Sequence, residues 1–417
     1  MNDRETFAWL HRRAGFGIHP AALQAIADAG SADPVADHVG PGPDGDAPLS
    51  DPWDGLALDP ERDGRREAVV GWLRHLVATE RPYEDRRTWL LHGWLVSSLG
   101  KVLLPELMVD QIRLLAAQGG GSYPDLLRAI TIDRAMLVYL DGRTSTGSAP
   151  NENYGRELLE LFALGVGNYT EADVLAAARA LTGWVVAPAL ARARFVPRRH
   201  DDSPQRLLGV DGVHDVDTVI DAVVGHPAHA TFVARRLVAE FLGDPDDESL
   251  AGVASELADG YVDADMHLDP VIATALRMGL DGRARPLVLA PIPWFVGALR
   301  VTGAPPERVI ARARDHVREI GQLPMLPPDV AGWPTGEAWF TASSLIARTN
   351  VAAAIAEHTA DDEPLRIAVD QSDWDLAAQH LGVSEPFGAS TRAALAATAG
   401  TTNRLTLALV SPENLLT

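Results

Sequence analysis

At 417 residues the chain is long enough to bury a large core, and 47% hydrophobic residues with a mean hydropathy near zero exclude wholesale disorder. There is no cysteine, which removes disulfides, thiolate nucleophiles and cysteine-held zinc, so any metal would rest on His, Asp, Glu or amide oxygens. The net charge of −21 argues against binding a nucleic-acid strand, because a phosphate backbone needs a basic surface.

No apolar run reaches the roughly eighteen residues that a membrane span requires. The opening MNDRETFAWLHRRAGFG lacks the apolar stretch of a secretory signal, so a cytoplasmic setting is expected. Of 36 basic residues only Lys101 is a lysine. Arginine serves wherever a fixed positive charge suffices, but not where a compact ammonium must give up its proton. Lys101 is therefore a candidate for chemistry, against the alternative of a chance survivor in an arginine-biased chain.

In chain order, residues 5 to 30 read as a helix, a turn at Gly15-Phe16-Gly17, and a second helix opening near Pro20 and stopping at Gly30. Residues 40 to 64, rich in Gly, Pro and Asp, read as an irregular loop. Residues 65 to 118 are helical in pattern, with Trp72, Leu73, Leu76 and Val77 and then Leu91, Leu95 and Val96 recurring at helical spacing. Gly119-Gly120-Gly121 closes this block. Pro124 opens a further helix, a short one carries Met136 to Leu140, and 141 to 150 form a polar loop.

Asn151 or Asn153 can cap a helix running to about Leu164, with Gly165 and Gly167 at its end. Thr170 caps the next, with Asp173 three residues on, and that helix presents Val174, Ala177, Ala178 and Leu181 on one face. Residues 185 to 215 mix β-branched residues, prolines and charges and suggest a short β-hairpin or extended loop. Helices resume at 216 to 242, 248 to 260, 268 to 280, 286 to 302, 305 to 321 and 341 to 358, around a Pro/Gly/Trp loop at 322 to 340. The expected class is mainly α: one large multi-helix domain over 1–358, with 359–417 as a C-terminal extension that could pack on it.

The stretch Pro150-Asn151-Glu152-Asn153-Tyr154-Gly155-Arg156-Glu157-Leu158-Leu159-Glu160-Leu161-Phe162-Ala163-Leu164-Gly165-Val166-Gly167 and its continuation from Tyr169 to Trp184 resemble the signature of the bacterial "domain of unknown function 1800" family. Shorter elements extend the resemblance: Arg12-Arg13-Ala14-Gly15-Phe16-Gly17, His200-Asp201 followed by Leu208-Gly209, and Pro327-Pro328-Asp329-Val330-Ala331-Gly332-Trp333-Pro334. The resemblance implies a helical fold and a bacterial source, and brings no established activity. It also implies a partner protein from a companion family with a sulfatase-like fold. The chain departs from the pattern where Trp94 stands in place of a second histidine after His92, and where Gln205 stands in place of a lysine. If both replaced residues are catalytic in the family, this member is altered or inactive.

Asn153, Glu157, Glu160 and Leu164 share a stripe on an ideal helix. As a solvated face, Arg156 would pair Glu160. As a buried cluster, Glu157 and Glu160 would hold a metal or act as acid and base, although the Glu-x-x-His element of di-iron bundles is absent. His200-Asp201 offers proton transfer near neutral pH or a surface turn. His92, in an apolar helix, reads as a hydrogen-bonded core residue before a ligand.

Two functions remain open. In the first, an enzyme acts on a polar or anionic substrate with Lys101, Arg156, Glu157, Glu160, Arg179, His200 and Asp201 converging in one pocket. Metal-assisted hydrolysis is its most economical form, with a divalent metal open as cofactor. In the second, the motif residues fix helix packing in a scaffold whose acidic surface and Trp333/Trp339 loop bind a partner protein.

Overall fold

The computed structural model describes residues 1–40, 50–56, 58–59, 63–187, 192–383 and 385–417, with side chains left aside at 311–316. About half of the Gly/Pro/Asp loop expected at 40–64 therefore lies outside the described residues.

The chain begins with a helix over Asp3–Arg13, closed by a reciprocal cap between Asn2 and Glu5, and a second over Pro20–Ala29, capped by His19 and stopped at Gly30. The helical block after residue 64 resolves into Gly64–Ala78, Pro82–Trp94, Leu99–Val102 and Pro105–Gln118. Pro82 and Pro105 divide it because proline fits the first helical turn, where its missing N–H has no partner to lose.

Asn151 caps Glu152–Glu157, and Thr170 with Asp173 forms the reciprocal cap of Glu171–Ala180. Between them the backbone widens into a π-helical turn over Leu158–Leu164. The wider turn breaks the ideal α register assumed for Asn153, Glu157, Glu160 and Leu164.

The segment 185–215 holds two small antiparallel pairs. Strand β1 (Trp184–Val185) pairs with β2 (Arg194–Phe195), and β3 (Gln205–Leu207) with β4 (Val210–Val213). Leu208 and Gly209 turn the second hairpin, both at positive φ. Helices Val216–Val224, Ala228–Phe241, Val253–Asp263, Leu268–Met278, Pro291–Thr302, Pro306–Glu319 and Ala342–His358 follow.

The C-terminal segment is also helical, over Pro364–Asp370, Trp374–Leu381, Ala389–Ala397, Thr401–Leu409 and Pro412–Leu415. Its apolar residues, from Leu365 to Leu415, join the same buried cluster as the rest. Trp294 donates its indole N–H to the Leu409 carbonyl, and Arg12 donates to the main-chain oxygens of Leu381, Asn414 and Leu416. Among the described residues no helix is long and apolar enough to cross a membrane.

An aromatic cluster fixes the centre. Trp89 stacks on Trp333 at 5.1 Å and 14°, and Trp72, Trp89 and Trp333 all pack around the His92 ring. His92 is fully buried, and its Nε2 accepts the Met325 N–H at 3.1 Å. The ring is thereby fixed as the neutral Nδ1–H tautomer, and burial pushes its pKa down to about 3.

Burial likewise pushes His38 and His229 down to about 4. All three lie below the unfolded value of roughly 6.5, so the unfolded chain takes up protons that the folded one refuses. Their contribution to stability is complete above about pH 6.5 and is lost progressively toward pH 4 to 3, at up to about 1.4 kcal/mol per histidine per pH unit. Urea denaturation at pH 7 and pH 5 should show a steeper loss for the wild type than for His92→Leu. Equal losses would mean that His92 carries no such linkage.

Candidate functional site

The signature helices meet where Gly155 lies flat against the second helix. A side chain at Gly155 would bring its Cβ to 2.7 Å from the Val174 carbonyl oxygen. Around this contact the seven residues named from the sequence fall into three groups.

Arg156 does not pair Glu160. It forms a two-pronged ion pair with Glu171, both contacts at 2.7 Å, while Glu160 accepts the Tyr169 hydroxyl. The widened turn moves Glu160 out of the i+4 position of an α-helix, and the next helix offers Arg156 a closer acid.

Lys101 and Glu157 lie near Tyr139. The Lys101 ammonium is 5.9 Å from the Tyr139 ring and 2.6 Å from Asp141, with both side chains about half exposed. Burial raises the Tyr139 pKa, with further upward pushes from Asp329 and Glu157. The Glu157 carboxyl is itself raised by burial and by Glu160.

Arg179, His200 and Asp201 are gathered by Thr182, a fully buried residue that sequence reading passed over. The Thr182 hydroxyl donates to the Arg179 carbonyl at 2.6 Å and accepts the Asp201 N–H at 2.9 Å. The Thr182 carbonyl lies 3.0 Å from Nδ1 of His200, where an Nδ1–H donor leaves Nε2 free to take a proton. The Asp201 carboxylate turns to Ser203, whose hydroxyl and N–H hold its pKa down. Asp173 also reaches across: its Oδ1 accepts the Leu208 N–H at 2.7 Å, docking the hairpin after the His-Asp pair on the signature helix.

Three cavities among the described residues lie elsewhere, and none of these is lined by any of the seven. Among the described residues no group of three or more His, Asp or Glu is arranged to hold a metal ion. Neither Glu157 nor Glu160 is therefore assigned as a ligand.

The largest of these cavities, about 560 Å³, opens between the helices Gly64–Ala78, Pro82–Trp94 and Pro105–Gln118, with Ser50 to Trp53 on its rim. His75 and Asp85, each less than a tenth exposed, form an ion-pair-like contact in its wall. Nε2 lies 2.9 Å from both carboxylate oxygens, and Nδ1 faces Ser50 Oγ at 3.4 Å. In the tautomer where Nε2–H donates to the Asp85 carboxylate, Nδ1 carries the free lone pair.

Glu84 lines the same cavity, with its carboxyl raised by burial against the opposing pull of Arg81. Arg87, held by Asp269 at 2.6 Å, and Arg113, held by Asp51 at 2.5 Å, complete its charged wall. A histidine base, a carboxyl of raised pKa and two guanidinium groups are the parts of an acid–base site for a polar, anionic molecule.

Sequence reading missed His75 and Asp85 because each has an ordinary explanation. His75 sits one turn from Trp72 in a core-forming helix, and an acid in a first helical turn complements the helix dipole. Their ten-residue separation across a helix break carries no motif.

The family described as "Protein of unknown function (DUF1800)" matches residues 9–416, and the chain belongs to it. No curated protein and no solved structure matches the chain.

Replacing Thr182 by Val keeps its volume but leaves the Asp201 N–H without an acceptor. This should cost about 1–3 kcal/mol, measured by urea denaturation. A loss below roughly 0.5 kcal/mol, the range of ordinary surface changes, would show that Thr182 does not hold the His200 loop.

Proposed function

We propose that this member of the family is an enzyme acting on a polar, anionic substrate by general acid–base hydrolysis in the cavity between helices Gly64–Ala78, Pro82–Trp94 and Pro105–Gln118. The observation that carries this reading is the His75 ring held by Asp85 through one nitrogen, with the other turned to a hydroxyl at 3.4 Å. Distances of this kind are often loose before substrate binds.

His75 takes the proton of the attacking oxygen. That oxygen is either the Ser50 hydroxyl or a water held in its place. Asp85 orients the ring and stabilises the imidazolium that forms. Glu84, whose raised pKa favours the protonated form relative to an exposed glutamate, protonates the leaving group. Arg87 and Arg113 bind the substrate's negative charge. No metal is assigned to this site.

The seven residues named from the sequence take a different place in this proposal. Arg156, Glu160, Arg179 and Asp201 brace the signature helices and the hairpin beside them. Lys101, Glu157 and His200 form the polar rim of that region. A cytoplasmic setting and a sulfatase-like partner protein complete the reading, and cell fractionation and co-purification test them.

A screen of the purified protein against esters, amides and phosphate or sulfate esters should find turnover that His75→Gln lowers by about 10²–10⁴-fold. Ser50→Ala separates the routes, abolishing a covalent one and sparing a water-based one. A purely architectural His75–Asp85 clip predicts the opposite pattern: His75→Gln loses thermal stability while neither protein turns over any substrate. That result would end the catalytic reading.

A further inference from the structure

A second cavity, of about 170 Å³, is built by residues far apart in sequence. Arg12 and Arg13 come from the opening motif, Arg86 from helix Pro82–Trp94, Arg236 from helix Ala228–Phe241, and Trp333 and Trp339 from the loop after residue 322. Two of the short elements that carry the family resemblance, at 12–17 and at 327–334, thus wall one cleft.

The charge of this wall is unbalanced. It holds four guanidinium groups against two carboxylates: Glu240, which pairs Arg86 at 2.5 Å, and that of the last residue, Thr417, which accepts from Arg13 at 2.8 Å. Arg12 is satisfied by neutral oxygens. It donates to the Asn414 side chain and to the main-chain oxygens of Leu381, Asn414 and Leu416. Such bonds fill the donors without cancelling the charge.

Arg236 has neither a hydrogen bond nor an ion pair among the described residues. Its guanidinium lies over the Trp94 ring at 5.3 Å, and desolvation lowers its pKa. Burial also pulls Arg12 and Arg13 down to about 10. In a chain of net charge −21 a local surplus of cations so placed is a cost that an anion would relieve.

Spare donors surround the same space. The indole N–H groups of Trp333 and Trp339 and the Nε–H groups of Arg13 and Arg86 are buried without a partner among the described residues. Trp339 is only 5% exposed and Arg13 only 2%. Buried donors left unsatisfied cost about 1–3 kcal/mol each, so several lining one cleft point to a missing acceptor.

We propose that this cleft binds a small, multiply charged oxyanion, gripped by Arg13, Arg86 and Arg236 and by the indole N–H groups of Trp333 and Trp339. Guanidinium groups suit the anion's several oxygens, and indole N–H groups add donors without adding charge. The cavity has room for the equivalent of about five or six liquid waters at roughly 30 Å³ each, which fits a free anion or the charged head of a small molecule. Phosphate, sulfate and a short dicarboxylate share this chemistry. The inference stands apart from the acid–base cavity, which shares no lining residue with this cleft.

The test is calorimetric titration of the full chain with inorganic phosphate, sulfate and succinate, beside acetate and chloride at matched ionic strength. Saturable binding of at least one dianion is expected, with the monovalent ions at least tenfold weaker. The dianion that binds best identifies the headgroup.

Arg236→Met should weaken binding at least tenfold without lowering the melting temperature, since Arg236 anchors no hydrogen bond. Trp339→Phe, which keeps most of the ring and loses the N–H, should weaken it severalfold and serves if Arg236→Met does not fold. Arg235→Met, which alters an exposed pair with Asp246, should bind as the wild type does. No saturable binding of any dianion up to about 10 mM, the range where a thermal shift would also register a useful site, would overturn the proposal. So would wild-type affinity in a folded Arg236→Met or Trp339→Phe. Binding that persists in His75→Gln shows that the cleft works whether or not the acid–base reading holds.

Discussion

One neutral imidazole holds the middle of the molecule to its late loop. His92 accepts the Met325 N–H, and the Leu99 N–H donates to the Met325 carbonyl at 2.8 Å, so both main-chain groups of a residue with positive φ are satisfied by the same neighbourhood. Seven residues on, Gly332 lies so close to the Gly93 carbonyl that a Cβ would sit 2.5 Å from its oxygen. That approach lets Trp333 lie on Trp89. Removing the acceptor would leave a buried N–H unpaired and loosen the contact that seats the loop.

Helix Pro82–Trp94 consequently works as a partition. Glu84, Asp85, Arg87 and Thr88 face the larger cavity, while Arg86, Trp89, Leu90 and Gly93 face the arginine-rich cleft. Neighbouring positions on a helix point about 100° apart, so thirteen residues can serve two separate chambers without sharing a side chain. The chambers differ in electrostatic character. In the larger one the cations have carboxylate partners; in the smaller one Arg12 and Arg236 have none among the described residues.

Much of the helical order was legible because its signals are local. The caps at Asn151 and Thr170, the stop at Gly30 and the core histidine at position 92 each follow from neighbours in sequence. Three features were not legible. The helices after residue 361 are short, and their faces are defined by one another and by helices Pro20–Ala29, Pro291–Thr302 and Ala342–His358, against which they pack. The π-turn at Leu158–Leu164 has no compositional mark and changed the neighbours of Arg156 and Glu160. Thr182, inside the recognised motif, carried no signal of its own, yet it holds the Arg179 carbonyl, the His200 imidazole and the Asp201 N–H in one network. Both cavities depend on tertiary proximity between segments that no periodicity connects. The lone lysine drew notice by composition, but its contact is an ordinary exposed pair with Asp141.

The widened turn at Leu158–Leu164 also affects how this family can change length. Near its end the Phe162 carbonyl accepts the buried Tyr123 hydroxyl at 2.7 Å, and the Ala163 carbonyl lies 3.0 Å from Nδ1 of His229. A one-residue deletion there would restore a tighter coil and rotate those carbonyls by about 100°. Tyr123 and His229 would lose their acceptors together. Loops at the surface can gain or shed residues freely, but this stretch is a measured spacer, and a homologue one residue shorter would have to rebuild two buried side chains at once.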